Sequence, residues 1–260
     1  MPSKRDYTVG WIAALHEELA AAQPMLDEFH PAQSQPLRDP NAYTLGRIFS
    51  YNIVIACLLA GSYGTNKAAA VVLNIKATFP NLEYFLMVGI SGGVPSAAHD
   101  IRLGDMVYNF SKALARKGFK RTGILNKPLY YLLTRITYLQ AENMGPDSLL
   151  RSCPQGEVGP NILFQAEYTH PEERDHSCTH CDRRCLIGRK QRTSNEPQVH
   201  YGLIGSANRV MRDGLSRDYL AKNHGDILCF EMEAAGLMNQ VPCLIIHGIC
   251  DYADSHKNKN

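Results

Sequence analysis

Apolar and polar residues along the chain follow two periods. Short, almost wholly apolar runs recur at YTVGWIAAL (7–15), YFLMVGI (84–90), DILCF (226–230) and CLIIHGI (243–249). Runs of that length predict strands buried on both faces. Between them the spacing turns helical. HEELAAAQPMLDEF (16–29) sets Leu19, Ala22, Leu26 and Phe29 on one face, with Pro24 bending the helix or ending its first part. AYTLGRIF and NIVIACLLA predict a hairpin joined at Ser50-Tyr51. GSYGTNKAAAVVLNIKATF (61–79) predicts a glycine turn and a helix, SGGVP (91–95) a second glycine turn, and LGDMVYNF (103–110) a strand. Helical spacing returns at 127–142, near 207–223 and in EMEAAGLMN, and regularity also at VHYGLIGS (199–206). Residues 144–198 are poor in apolar positions and rich in Pro, Gly and charge, which predicts a long irregular excursion inside one domain spanning 1–260.

Strands alternating with helices predict a three-layer α/β/α fold around a mixed, mostly parallel central sheet. In such sheets ligands bind beyond the carboxyl ends of the strands. Four places carry acid or glycine just after a strand: Glu17-Glu18, Gly61-Ser62-Tyr63-Gly64, Ser91-Gly92-Gly93 and Asp251. The pattern therefore predicts one rim where they meet.

Composition narrows the classes. Hydrophobic residues at 45% and charged residues at 20% are globular values and exclude disorder. A net charge of +2 gives no global attraction to nucleic acid or a membrane surface. No apolar stretch approaches the ~18 residues of a membrane span, and MPSKRDYTVGW has no signal-peptide core, so a cytoplasmic protein is expected. Cys57, Cys229, Cys243 and Cys250 lie in apolar runs and are expected to be reduced and buried. Cys178, Cys181 and Cys185 form a C-x2-C-x3-C spacing beside His176 and His180. Structural zinc usually takes two properly spaced pairs, so no metal is assigned. GRKQR (188–192) reads as a solvated loop.

The candidate chemistry lies in two apolar runs that carry acids. LCFEMEAAGL holds Glu231 and Glu233 on either side of Met232, and VPCLIIHGICDYAD closes on Asp251 and Asp254. A carboxylate taken out of water is costly unless something pairs with it. These acids therefore read either as ligand-holding groups or as ordinary helix-start and strand-end acids.

The stretches VGWIAALHEEL, LLAGSYGTNKAAA, MVGISGGV with IRLGDMV, FEMEAAGL and GICDYAD together resemble the nucleoside phosphorylase and nucleosidase superfamily, over roughly residues 7–108 and 199–256. DYTVGWIAAL, HDIRLGD, FKRTGILNKP, CFEMEAAGL and GICDYADSHKNK look most similar to the fungal branch found at the N-terminus of NACHT- or ankyrin-containing receptor-like proteins. The resemblance implies a purine nucleoside or nucleotide, ATP included, as substrate, no cofactor, and a homo-oligomer. It implies Asp251 as the acid that protonates purine nitrogen 7 and Glu18 as the base that activates water. Substrate binding falls by the same resemblance to Glu233 on the ribose hydroxyls, Met232, Glu231, Ser91, Gly92, Gly93, Gly61 and Asn208. Asp251 is expected to be a carboxyl whose proton is held by burial.

Hydrolysis is the first expectation, because Met87 stands where purine phosphorylases of the family place a phosphate-binding arginine. Phosphorolysis with inorganic phosphate is the alternative. A catalytically idle nucleotide-sensing module is the reading from a different class. Lys67, Arg47 and Arg102 are the cations expected to help bind an anionic group. His247 is expected to be a packed strand residue. The chain is shorter than the family pattern between LGDMV and YNFSKAL and stops before the relatives' C-terminal helix, which predicts an altered subunit contact.

Overall fold

A computed structural model describes residues 1–61, 63–109, 128–143, 161–171, 178–194 and 196–257. FKRTGILNKP apart from its final Pro128, the turn residue Ser62, FSKAL (110–114) at the expected shortening, His176, and all of 144–160 with 172–177 lie outside the described residues.

In chain order the elements are β1 (Val9–Ala13), α1 (His16–Ala22), β2 (Glu28–His30), β3 (Tyr43–Ile48), β4 (Tyr51–Cys57), α2 (Thr65–Thr78), β5 (Tyr84–Gly93), β6 (Met106–Asn109), α3 (Tyr130–Asn143), β7 (Val199–Tyr201), β8 (Leu203–Ser206), α4 (Gly214–Asn223), β9 (Ile227–Glu231), α5 (Ala234–Met238) and β10 (Cys243–Asp251). The strands run in the order β2-β3-β4-β1-β5-β10-β6-β7, and β9 joins the end of β5 to β8. The central strands β4, β1, β5 and β10 are parallel, as are the β6–β7 and β8–β9 pairs. The β2–β3, β3–β4, β6–β10 and β5–β9 pairs are antiparallel, so the sheet is mixed and its centre is parallel.

The three layers follow from alternation along the central strands. Ile12, Val54, Ala56, Phe85 and Met87 face one side and pack with Ala68, Val71, Val72 and Ile75 of α2 and Ala234, Leu237 and Met238 of α5. Val9, Trp11, Ile53, Ile55, Leu86 and Val88 face the other and pack with Leu19 and Ala22 of α1. Both faces being covered is why these strands read as unbroken apolar runs. Among the described residues no helix is long and apolar enough to cross a membrane.

Several boundaries differ from the sequence expectation, each for a local reason. Pro24 ends α1 rather than bending it: a short 3-10 turn at Gln23–Met25 follows, and Phe29 sits exposed in β2 instead of on a helical face. SGGVP is not a turn at its start, since β5 runs on through Gly93 and pairs there with β9. Two adjacent glycines let β10 and the chain beyond it close on that strand end. A Cβ at Gly92 would stand 2.7 Å from Asp251 Oδ1 and 2.8 Å from Ala253 Cβ. VHYGLIGS divides into β7 and β8 at Gly202, and α5 begins only at Ala234, leaving Glu231 as the last residue of a strand. The described parts of the 144–198 excursion are irregular up to residue 198, with 3-10 turns at Cys178–His180 and Arg183–Cys185 and a lone bridge between Phe164 and Leu186.

Candidate active site

The carboxyl ends of β1, β5, β9 and β10 meet at one cleft. After β1 the chain turns at Leu15 into α1, and this first turn swings Glu18 back over the strand ends. Glu18 Oε2 accepts from the Ala14 and Leu15 amides at 2.6 and 3.1 Å, and Oε1 from the Ile90 amide at 2.9 Å. Residue 89 must be glycine for this, because a Cβ there would lie 2.5 Å from Glu18 Oε1. Burial raises the Glu18 carboxyl above its ordinary range, against the three amides that favour its ionised form.

β9 and the turn into α5 bring two more acids. Glu231 Oε2 accepts from the Glu233 and Ala234 amides at 2.8 and 2.7 Å, so it caps the start of α5. Its Oε1 is buried without a hydrogen-bond partner, and burial pushes the group up to about 7. Glu233 Oε1 accepts from the Gly64 amide at 3.2 Å and Oε2 from the Met232 amide at 3.1 Å. Burial also raises Glu233, with the nearby charge of Glu18 adding to it. The Asn208 side chain accepts from the Thr65 amide and hydroxyl at 2.9 and 3.0 Å. It therefore pins the start of α2, beside the loop amide that meets Glu233.

Asp251 ends β10. Its Oδ1 accepts from the Ala253 amide at 2.7 Å, and its Oδ2 takes the Lys257 ammonium at 2.8 Å. The carboxyl expected to hold a proton by burial instead forms an ion pair, because the chain after β10 folds back and returns a lysine to the strand end. Behind Glu231, His247 is wholly buried in β10 with its Nε2 3.8 Å from Glu231 Oε2. Burial lowers the imidazole to about 4, so it is neutral, as suits a packed strand residue.

The cleft between these groups holds about 260 Å³. Glu18, Ser91, Gly92, Glu231, Met232, Glu233 and Asp251 all line it. The Ser91 hydroxyl is buried against the Cys229 thiol. Gly61, Gly93 and Asn208 do not line it. Gly61 belongs to a turn with positive φ, Gly93 lies beneath Ile249, and Asn208 acts on the loop behind. The cations expected at an anion site are elsewhere: Arg47 pairs with Glu28 at the far sheet edge, Arg102 pairs with Asp100, and exposed Lys67 lies on α2 away from the lining. Met87 is fully buried beneath the sheet.

Among the described lining residues the cations are Arg209 and Lys257, neither singled out by the sequence reading. Lys257 stood within the matched wording GICDYADSHKNK, but its spacing from Asp251 carries no periodic signal. Tyr63, Phe230 and Met211 add apolar wall on which a flat ring can lie. Acids and apolar surface in one cleft suit a ligand with hydroxyl groups at one end and an aromatic heterocycle at the other.

No protein-family model matches the chain. A nucleotide-binding leucine-rich repeat (NLR)-like protein of Hyaloscypha variabilis is 42% identical over 276 residues, a match that spans 98% of this chain and 27% of that protein. The chain thus spans about a quarter of the length of the curated relative it matches. Among solved structures, the MTA/SAH nucleosidase of Streptococcus pneumoniae in complex with 8-aminoadenine aligns with a TM-score of 0.60 and 18% identity, over 96% of this chain and 88% of that one. The futalosine hydrolase of Helicobacter pylori aligns with a TM-score of 0.62 and 14% identity, over 98% and 89%. The 5'-methylthioadenosine/S-adenosylhomocysteine nucleosidase of Neisseria meningitidis in complex with methylthio-immucillin-A aligns at 0.55 and 17%, over 96% and 88%. The chain has the α/β fold of these nucleosidases, as its sequence motifs imply.

Proposed function

We propose that the chain is a purine N-ribosyl hydrolase acting on a nucleoside or nucleotide. The observation that carries this reading is the meeting of Glu18, Glu233 and Asp251, from three separate stretches of chain, on one cleft. Glycosidic cleavage makes the ribose carbon cationic and leaves negative charge on the departing base. Glu18, raised by burial, is suited to take a proton from water near neutral pH. Before that transfer the same carboxylate, still ionised, stabilises the cationic sugar. Glu233, fixed by the Gly64 and Met232 amides, offers its remaining lone pairs to the ribose hydroxyls, with Met232 against the sugar. Asp251 with Lys257 faces the base. The ammonium supplies positive charge opposite the leaving purine and is the proton source, and the Asp251 carboxylate relays that proton to nitrogen 7, leaving a neutral lysine amine.

Hydrolysis is favoured over phosphorolysis by the cation count. A phosphate dianion at the sugar is usually held by arginines, and among the described residues the cleft's cations are an exposed Arg209 at its wall and a Lys257 already paired with Asp251. Arg209 instead suits the 5′-phosphates of a nucleotide such as ATP. The NLR-like relative, of which the chain matches about a quarter, supports a second reading as the nucleotide-sensing module of a larger receptor.

The deciding assay incubates the chain with adenosine, inosine, methylthioadenosine, AMP and ATP, with and without phosphate, and follows free base. Base release without phosphate is expected. Release that strictly requires phosphate overturns hydrolysis, and binding without release favours the sensor.

A further inference from the structure

Outside the cleft, the fold gathers a second set of chemistry-bearing side chains from the long excursion. A ring nitrogen of His170 and the sulfurs of Cys178 and Cys181 lie within 4.8 Å of one another. Two thiolates and an imidazole around a tetrahedral zinc ion stand roughly 3.5–3.8 Å apart, given ordinary Zn–S and Zn–N lengths. The observed spread is therefore about an ångström from a bound geometry. Sequence spacing hid this set, because His170 precedes the cysteine pair by eight residues and only the chain's return brings it alongside.

A tetrahedral ion needs a fourth donor, and His256, which lies outside the 4.8 Å group but beside His170, is the candidate. The His256 side chain is 7% exposed, and neither ring nitrogen has a hydrogen-bond partner. Its Nδ1 stands 3.6 Å from Asp254 Oδ1, an ionic contact longer than a hydrogen bond. A buried imidazole without partners is costly. Its ring lies edge-on to His170 with centroids 5.5 Å apart, close to the roughly 5 Å that two imidazoles take on one tetrahedral ion. Stacking on Phe164 at 4.1 Å holds the His256 ring in place.

We propose that His170, Cys178, Cys181 and His256 bind a zinc ion. Thiolate and imidazole together select zinc among the common divalent ions. The ion would join the excursion to the segment after β10, where the His170 amide already donates to Ser255 Oγ at 2.9 Å and Arg189 Nη2 to the Tyr252 hydroxyl at 2.6 Å. That segment carries Lys257, so metal binding would also steady the Lys257–Asp251 pair at the cleft.

The test uses the whole chain, loaded with zinc and then exchanged into metal-free buffer. About one equivalent of retained zinc by mass spectrometry is expected, and cobalt(II) loading should give a thiolate-to-cobalt charge-transfer band. The Cys178→Ser/Cys181→Ser variant should lose both, and Cys185→Ser, whose sulfur lies outside the group, should keep both. Zinc well below one equivalent in the parent chain, or a cobalt spectrum lacking the thiolate band, overturns the site whatever the variants do. Metal retained by the double variant overturns it equally. An unchanged cobalt ligand-field spectrum in His256→Ala removes His256 from the set.

Discussion

Asp105 and Glu231 each have a side chain 1% exposed, yet the molecule treats the two carboxyls in opposite ways. Asp105 is held by side-chain cations. Arg192 meets both its oxygens at 2.8 and 2.7 Å, His200 Nε2 stands 2.8 Å away, and the Arg102 and Gln198 amides complete the shell. These partners outweigh the burial and lower the group to about 2. Glu231 receives backbone amides and the Ser206 hydroxyl in place of side-chain cations, and burial pushes it up to about 7; burial raises Glu18 and Glu233 as well. An acid fully paired within the fold has little left to give a ligand. Acids fixed by amides at one side keep lone pairs, and a raised proton affinity, for something that arrives. The Asp105 cluster ties the excursion to the sheet, whereas the Glu18 group lines the cleft.

The sharpest way to break this comparison is Glu18→Gln. Base release should fall by about 10²–10⁴-fold, the usual share of a general base, with folding weakened by only about 1–3 kcal/mol at the Ile90 amide. Undiminished turnover would remove Glu18 from its role. Asp105→Asn should do the reverse. It strands Arg192 and should destabilise the fold by about 3–5 kcal/mol in urea unfolding, while turnover per folded molecule holds.

Stability against pH should separate the two acids next. Between about 4.5 and about 7 folded Glu231 keeps a proton that the unfolded chain has shed, so its share of stability declines as pH rises through that window. Asp105 runs the other way: its contribution is present above about 3.8 and lost as pH falls towards 2. Glu231→Gln should therefore gain on the parent chain by roughly 2–3 kcal/mol from acid to neutral pH. Urea midpoints that differ by a constant amount across the range would contradict this. The smallest effect concerns the cleft wall: Arg209→Ala should raise KM for AMP or ATP about tenfold, the worth of one exposed charged hydrogen bond, and leave adenosine unchanged.

Much of the cleft was legible in the residues. The acid-bearing apolar runs, the glycine turn before α2 and the strand–helix alternation all carried local signals, and Glu18, Glu233 and Asp251 do share one cleft. What local signals misjudged was the glycine pair 92–93, read as a turn because glycine usually marks one. It continues β5 instead, since strands close in on both sides of it. Arg47 and Arg102 likewise read as available cations, but each already faces an acid brought alongside by the fold.

The sequence by itself determined the layers, the parallel centre of the sheet and the acids at its strand ends, because burial on two faces and the lack of it each leave a periodic mark within a few residues. Tertiary structure alone decided which partners those groups received: Lys257 on Asp251, Arg192 on Asp105, His170 beside the cysteine pair and His256 beside His170. Pairings between residues six to nearly ninety apart depend on where the chain returns, and returns through irregular segments have no period to read.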